Sequence, residues 1–378
     1  MSEKIPKGWK WVKLGDAVII NPNETLKKGV IAKKVPMEAL HPFTKKVKFF
    51  VFEKYNGGVK FKNGDTLVAR ITPSLENGKT VYVDLLDDDE IGFGSTEFIV
   101  LREKSGITDK QFIYYFAISN DFRDIAIKSM TGSSGRQRVQ NEVVKEFEFP
   151  LPPLPEQKAI AEVLSSIDDK IDLLHRQNKT LEEMAMTLFR QWFIEPTKDG
   201  LPEGWEIGKF EENLKIVYGK NLLTSKLKDS GYPVFGGNGK IGYYTEYMYE
   251  ESQVLISCRG EASGKVNISD PKSYITNNSL ILERAKNKNI SFEYLKYYCL
   301  NYDFTQFVTG SAQPQITIEE LNNSEILIPP SILINKFSKI ISNFETKIFS
   351  NKIQIQTLEK LRDTLLPKLM SGDVRIMK

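Results

Sequence analysis

The sequence predicts an α+β chain in which two duplicated mixed α/β domains are separated by an antiparallel two-helix coiled coil with pseudo-two-fold symmetry. Three observations carry this expectation. Apolar or small residues step by alternate fours and threes through Ile160, Leu164, Ile167, Ile171, Leu174, Asn178, Leu181, Ala185, Leu188 and Trp192, a heptad seam. Adding 177 to each number gives Phe337, Ile341, Phe344, Ile348, Asn351, Ile355, Leu358, Arg362, Leu365 and Leu369, the same seam near the end of the sequence. The segments ahead of each seam also recur in order, as a duplicated domain requires.

Each seam covers about 33 residues, or ~50 Å of helix. A helix with one apolar stripe must bury it, and a second helix of matching length and phase is its obvious partner. Charge agrees. Residues 155–200 hold 6 Lys and Arg against 9 Asp and Glu, whereas residues 332–378 hold 9 against 4. In an antiparallel pair, facing positions sum to a constant. Ile160 with Leu369, Trp192 with Phe337, and Asn178 with Asn351 all give 529. These two asparagines are the only ones in either seam, and a buried Asn pair fixes coil register and orientation at some cost in stability.

With 378 residues, 40% apolar and 27% charged, the chain is long enough to bury more than one core. Two cysteines, Cys258 and Cys299, argue against a disulfide framework and for buried thiols in a reduced, cytoplasmic setting. The Met-Ser-Glu-Lys start has no apolar run of the signal-peptide kind, and no 18-residue apolar stretch follows, so neither export nor membrane insertion is expected. A net charge of +3 announces no nucleic-acid partner by bulk, so any DNA contact must use local patches.

Taken in order, the first domain opens with Pro6-Lys-Gly-Trp9 and the second with Pro202-Glu-Gly-Trp205. Strand-like Asp65 to Arg70 answers Ser252 to Ser257, and each leads to a polar loop ending in Gly-Lys, at Gly78-Lys79 and Gly264-Lys265. Phe93 to Leu101 matches Tyr274 to Leu282, and an aromatic helix at Phe112 to Phe116 matches Tyr294 to Tyr298. After it, Thr131-Gly-Ser-Ser-Gly-Arg-Gln-Arg138 reads against Thr309-Gly-Ser-Ala-Gln-Pro-Gln315. Proline pairs at Pro152-Pro153 and Pro329-Pro330 then stop a strand and start each arm. Pro196 and Gly200 close the first arm, and Pro367 is expected to end or kink the second early.

Motifs for chemistry fail one after another. Gly237-Asn-Gly239-Lys-Ile-Gly242 spells a dinucleotide fingerprint, but Tyr243 and Tyr244 follow in place of a helix, which marks a turn-rich recognition loop. The Gly-Lys loops lack the first glycine of a phosphate cradle, having Pro73 and Arg259 there. The acid-x-Lys patterns at Asp168-Asp-Lys170 and Glu345-Thr-Lys347 fall on the seam helices, where solvated charges are expected. His41 and His175 alone assemble neither a metal cluster nor a triad. There is no Asn/Asp-Pro-Pro-Tyr/Phe element for amino methylation. The chain is expected to be no enzyme, with no catalytic residue and no metal.

Two loop-rich domains on a rigid coil suit a two-site reader, as dimeric DNA binders present paired half-site modules. The whole chain resembles a specificity subunit of type I restriction-modification enzymes. The resemblance rests on Gly8-Trp9 and Gly204-Trp205, the Thr-Gly-Ser loops, the Pro-Pro-Leu-Pro-Glu-Gln157 start of the first arm and the closing Leu361-Arg-Asp-Thr-Leu-Leu-Pro367-Lys-Leu-Met-Ser-Gly372. It implies target-recognition domains at residues 1–154 and 197–331, with conserved helical regions at 155–196 and 332–378 as the spacer. It implies double-stranded DNA as a partner, together with two methyltransferase subunits carrying S-adenosylmethionine and motor-nuclease subunits using ATP and magnesium, with no cofactor in this chain and no membrane. The second arm departs from the pattern, opening Ile-Leu-Ile-Asn335 where the first has Pro-Glu-Gln-Lys158.

Basic and amide side chains in glycine-containing loops are the candidate readers: Arg70, Lys79, Arg136, Gln137 and Arg138 in the first domain, and Asn238, Lys240, Arg259, Lys265, Gln313 and Gln315 in the second. Arg pairs with guanine and Gln or Asn with adenine through two hydrogen bonds, while Lys favours phosphate. The Thr-Gly-Ser loops are also legible as connectors to the arms, since similarity between copies suits a scaffold. A coiled-coil adaptor that binds only protein is the alternative, and a salt-dependent shift with DNA separates the two.

Overall fold

A computed structural model describes residues 5–133, 135–310 and 313–376. Met1 to Lys4 at the start of the sequence, Ser134 of the first Thr-Gly-Ser loop, and Ser311 and Ala312 of the second lie outside the described residues. The chain divides into two compact units, Met1–Leu174 with Ile353–Lys378, and His175–Lys352. The division therefore falls within both long helices, Leu154–Phe189 and Ser331–Ser371, rather than between domain and arm.

In the first unit, a four-stranded antiparallel sheet runs in the order Val18–Ile20, Phe98–Glu103, Thr66–Ala69, Thr80–Tyr82. All of Thr66–Ala69 is buried because both faces of the sheet are covered. Val68 packs with the aromatic helix and the arms, whereas Leu67 faces a second core with Val35, Phe61, Val81 and Val100. A second four-stranded sheet pairs Ile31–Val35 in parallel with Gly92–Gly94, with Val51–Lys54 and Val59–Phe61 at its edges. The helix Lys110–Ile118 starts where Asp109 accepts from the amides of Gln111 and Phe112, both at 3.0 Å. From Phe112 onward it is apolar all round and buried all round, since sheet residues Ile99 and Leu101 and arm residues Ile160, Leu164, Leu366 and Leu369 belong to the same core.

The second unit repeats this plan. Its main sheet runs Lys215–Tyr218, Ser279–Glu283, Val254–Ser257, Val266–Ile268, all antiparallel. Its second sheet again contains one parallel pair, Tyr232–Gly236 with Tyr274–Ile275, and a tight hairpin to Gly239–Tyr244. In both units the Gly-Trp opening leads into a strand that pairs with the strand entering the arm, Lys10–Lys13 with Glu148–Leu151 and Glu206–Lys209 with Glu325–Ile328.

The ladders correct one strand match. Thr66 lies opposite Leu101 and Val254 opposite Leu282, so Thr66 corresponds to Val254, one position away from the match of Asp65 to Arg70 with Ser252 to Ser257. Uniformly buried strands carry no alternation to set the phase, and one residue of slip exchanges the two faces.

Within each unit the two arms run antiparallel. In the first, Ile167, Ile171 and Leu174 share a core with Ile355, and Ile160 and Leu164 with Leu366 and Leu369. In the second, Ala185, Phe189 and Phe193 pack with Ile334, Phe337 and Ile341. Burying each of these larger side chains stabilises by about 1.5–3 kcal/mol. The first arm ends through a π-turn at Arg190–Ile194 and a 3-10 turn at Glu195–Thr197. The second starts at Ser331 and continues through Pro367 to Ser371, contrary to the expected early end. Only four helical residues follow Pro367, so a bend there displaces a single turn, and buried Leu366, Leu369 and Met370 hold that turn to the core.

A second correction concerns Asp168 and Glu345, which are not solvated charges. Asp168 is buried and accepts from Tyr115 Oη at 2.7 Å and Arg362 Nη1 at 3.0 Å. Glu345 Oε1 accepts from Lys296 Nζ at 2.5 Å and Tyr297 Oη at 3.0 Å. Each copy thus ties its aromatic helix to an arm through a tyrosine and an acid at matching positions, Asp168 and Glu345 being 177 apart.

Candidate nucleic-acid interface

All the candidate readers except Lys240 sit where loops converge at the end of each main sheet. In the first unit, Thr131 and Arg138 exchange backbone hydrogen bonds of 3.0 and 2.9 Å, closing the Thr-Gly-Ser loop at its base. That base lies against the chain leaving the central strand, because Arg70 N donates to Glu97 O and Val139 N to Arg70 O, both at 2.9 Å. The Arg70 guanidinium turns back to Val139 O at 3.2 Å, and its Nε is buried without a partner among the described residues. Lys79 is half-buried and donates to Met37 O at 3.3 Å, beside Gly78, whose positive φ of 73° and contact with the Phe43 ring leave no room for a side chain. Arg136 is exposed, and Gln137 O accepts from Thr72 N at 3.1 Å.

Arg138 is held differently. Its Nε lies 3.0 Å from both carboxylate oxygens of Glu97, and its Nη2 lies 2.7 Å from Oε1. This hydrogen-bonded pair holds the Glu97 carboxyl below its ordinary range and raises the guanidinium further. The side chains are 45% and 23% exposed, so the pair adds little to stability.

In the second unit, Thr309 and Gln315 close the corresponding loop with two bonds of 2.9 Å. Exposed Arg259 bridges Gln315 through its backbone, and Gly260 N donates to Pro314 O at 2.9 Å. The hairpin tip meets the same place: Lys265 Nζ donates to Asn238 Oδ1 at 2.7 Å, and Gly237 O accepts from Ser257 Oγ and from Asn267 Nδ2. Lys240 donates to Tyr243 Oη at 2.9 Å and lies 4.2 Å from that ring's centre. Asn238, Arg259, Lys265, Gln313 and Gln315 are therefore gathered on loops that touch one another, whereas Lys240 points along its own strand to Tyr243. Arg70 and Lys79 spend donors on backbone carbonyls.

Glu97 and Asn278 escaped the sequence reading. Both end the loop before the strand that flanks the central one, and both bind the central strand's exit, through Arg70 N at 2.9 Å and Cys258 N at 3.0 Å. The 181-residue offset relating Phe93 to Leu101 with Tyr274 to Leu282 also relates these two residues.

The coil asparagines meet within the second unit. Asn351 Nδ2 donates to Asn178 Oδ1 at 2.8 Å, both residues are buried, and Asn351 Oδ1 has no partner among the described residues. Cys258 and Cys299 are free and buried, with burial pushing both thiols up, and His41 and His175 are exposed. Among the described residues, no group of three His, Cys, Asp or Glu is placed to hold a metal ion, and no helix is long and apolar enough to cross a membrane.

The family model "Type I restriction modification DNA specificity domain" matches residues 6–183 and again 202–360. The type I restriction enzyme MjaIX specificity subunit of Methanocaldococcus jannaschii is 28% identical over 314 residues, covering 72% of this chain and 71% of that protein. The MjaVIII specificity subunit of the same organism is 24% identical over 417 residues, covering 99% and 94%. The crystal structure of a type I restriction-modification system S subunit from M. genitalium superposes with a TM-score of 0.61 at 20% identity, covering 98% of this chain and 97% of that one, a likeness of fold. With both halves matched by the same model, the chain belongs to the type I restriction-modification DNA specificity family.

Proposed function

We propose that this chain is the DNA sequence-reading subunit of a type I restriction-modification complex, in which residues 1–154 and 197–331 each read one half of a bipartite target. Residues 155–196 and 332–378 serve as the helical scaffold on which two methyltransferase subunits and the motor-nuclease subunits dock. The observation that carries the reading is a loop framework repeated in both domains with different side chains at its exposed positions. The backbone bonds that join Arg70, Glu97, Arg138 and Val139 recur at Cys258, Asn278, Gln315 and Ile316. One framework with two sets of polar groups is what reading two different half-sites requires.

In this reading Arg136, Arg138 and Arg259 face guanine or phosphate, and Gln137, Asn238, Gln313 and Gln315 face adenine edges. Lys240 and Lys265 face phosphate, while Arg70 and Lys79 act more through the loops they hold than through free donors. The register pair Asn178 and Asn351 selects one alignment of the arms. S-adenosylmethionine enters with the methyltransferase subunits, and ATP with magnesium enters with the motor-nuclease, so the work is done in the cytoplasm, where the DNA is. The test is methylation. The chain alone leaves DNA unmodified, whereas together with methyltransferase subunits and S-adenosylmethionine it directs methylation to one bipartite sequence. Exchanging residues 1–154 for a relative's domain changes one half of that sequence. A change in both halves, or methylation without sequence preference, overturns the proposal.

A further inference from the structure

The two copies share one set of backbone hydrogen bonds and differ in side chain at one pair of positions within it. Arg70 N to Glu97 O and Val139 N to Arg70 O, both at 2.9 Å, are repeated by Cys258 N to Asn278 O at 3.0 Å and Ile316 N to Cys258 O at 3.1 Å. Position 97 thus corresponds to 278, and position 138, at the base of the Thr-Gly-Ser loop, to 315. The first domain places Glu97 and Arg138 there, and the second Asn278 and Gln315, with Arg138, Asn278 and Gln315 exposed.

The Glu97–Arg138 contact has a definite chemistry. The carboxylate takes the Nε and Nη2 edge of the guanidinium, at 3.0 and 2.7 Å, which fixes its plane. It leaves the Nη1 and Nη2 edge to meet an external pair of acceptors, and guanine O6 with N7 is such a pair in the major groove. A flexible arginine alone must be ordered on binding, whereas this one is ordered beforehand. An exposed pair of this kind adds little stability, so what it supplies is orientation. At the corresponding place Gln315 carries one donor and one acceptor on its amide, the complement of adenine N6 and N7.

We infer that Glu97 is a positioning residue that presents Arg138 to one guanine in the half-site of the first domain, and that the pair at 97 and 138, like that at 278 and 315, determines one base of its half-site. This rests on the reading of the chain as a DNA sequence reader.

The test is to map the methylated sequence in cells expressing the full chain with its methyltransferase subunits, for wild type and for E97A, R138K, R138Q and the double variant E97N/R138Q. The last installs the second domain's pair in the first. With wild type, one bipartite sequence is expected. E97A and R138K should relax discrimination at a single G·C position by roughly 5- to 150-fold, the range of one bidentate base contact, with all other positions unchanged. R138Q and E97N/R138Q should shift that position toward adenine. Melting temperatures of the variants check folding, and R138K keeps the charge while removing the fork. An unchanged sequence in every variant, or equal loss of methylation at all sites with normal melting, overturns the inference, since Arg138 then belongs to the scaffold or to a phosphate. If wild type directs methylation to no particular sequence, the reading of function itself fails, and that outcome is distinct from the other two.

Discussion

Replacing Arg362 by leucine should destabilise the first unit severely, although leucine is the ordinary residue for a heptad seam. Arg362 and Asp168 have side chains 9% and 6% exposed, joined at 3.0 Å, and Arg362 Nη1 also donates to Phe43 O at 3.3 Å. Leucine leaves the Asp168 carboxylate buried with Tyr115 Oη as its remaining donor among these contacts. Breaking one side of a buried ion pair costs about 3–5 kcal/mol, whereas removing both sides with apolar replacements is often neutral. R362L should therefore cost about 3–5 kcal/mol, and D168L/R362L much less than the sum of the two single changes. Amide hydrogen exchange followed by mass spectrometry reads this by segment. Protection of 110–118, 154–174 and 353–371 should fall by roughly 150- to 5,000-fold in R362L and recover most of that loss in the double variant. Protection near 292–301 should hold. A loss below about 1 kcal/mol in R362L, or a double variant as weak as the single, refutes the claim that the pair is a coupled buried unit.

Three further outcomes follow from the same geometry. N351L should cost about 1–3 kcal/mol by leaving the Asn178 amide oxygen without its donor, whereas N178L/N351L, which also removes the Asn351 oxygen that has no partner among the described residues, should be at least as stable as wild type in urea titration. G264A combines a φ of 89° with a Cβ at 3.0 Å from the Thr305 backbone nitrogen and should cost more than G106A, whose φ is 78° but whose Cβ meets nothing within 4 Å; denaturation midpoints compare them. Glu156 is held below the ordinary carboxyl range by hydrogen bonds from Arg375 and then from Trp9. Its contribution is complete above the unfolded value of about 4.3 and is lost as pH falls through the lower folded value, so tryptophan fluorescence should change below about pH 4 in wild type and not in E156Q.

The seam was legible because a 3.5-residue period sustained over ten positions, twice, leaves no other element that fits it. What reaches the seam from elsewhere was not legible. Tyr115 and Tyr297 come from helices about fifty residues upstream to meet Asp168 and Glu345, and no spacing along the arm reveals them. Arg362 holds a seam position because its guanidinium meets buried Asp168 on the facing helix at 3.0 Å, a match that exists in the fold and not in the heptad. Pro367 breaks a local rule that packing overrides, because Leu366, Leu369 and Met370 hold the turn around it in the core.

At the candidate site the duplication keeps the backbone and changes the side chains. Similarity between the Thr-Gly-Ser loops suits a scaffold, and the hydrogen bonds at Thr131 with Arg138 and Thr309 with Gln315 show the feature that is shared, namely the backbone. Side chains on a shared backbone are free to differ, and they differ at 97 with 278 and at 138 with 315. Glu97 lies 41 residues from Arg138, so only the strand pairing that brings Phe98 beside Ala69, and the loop base that brings Arg138 beside Ile71, makes them neighbours. Two copies of one frame with unlike pairs at a single place separate the part that folds from the part that chooses, because a residue needed for the frame must serve in both copies and a residue needed for one target serves in one.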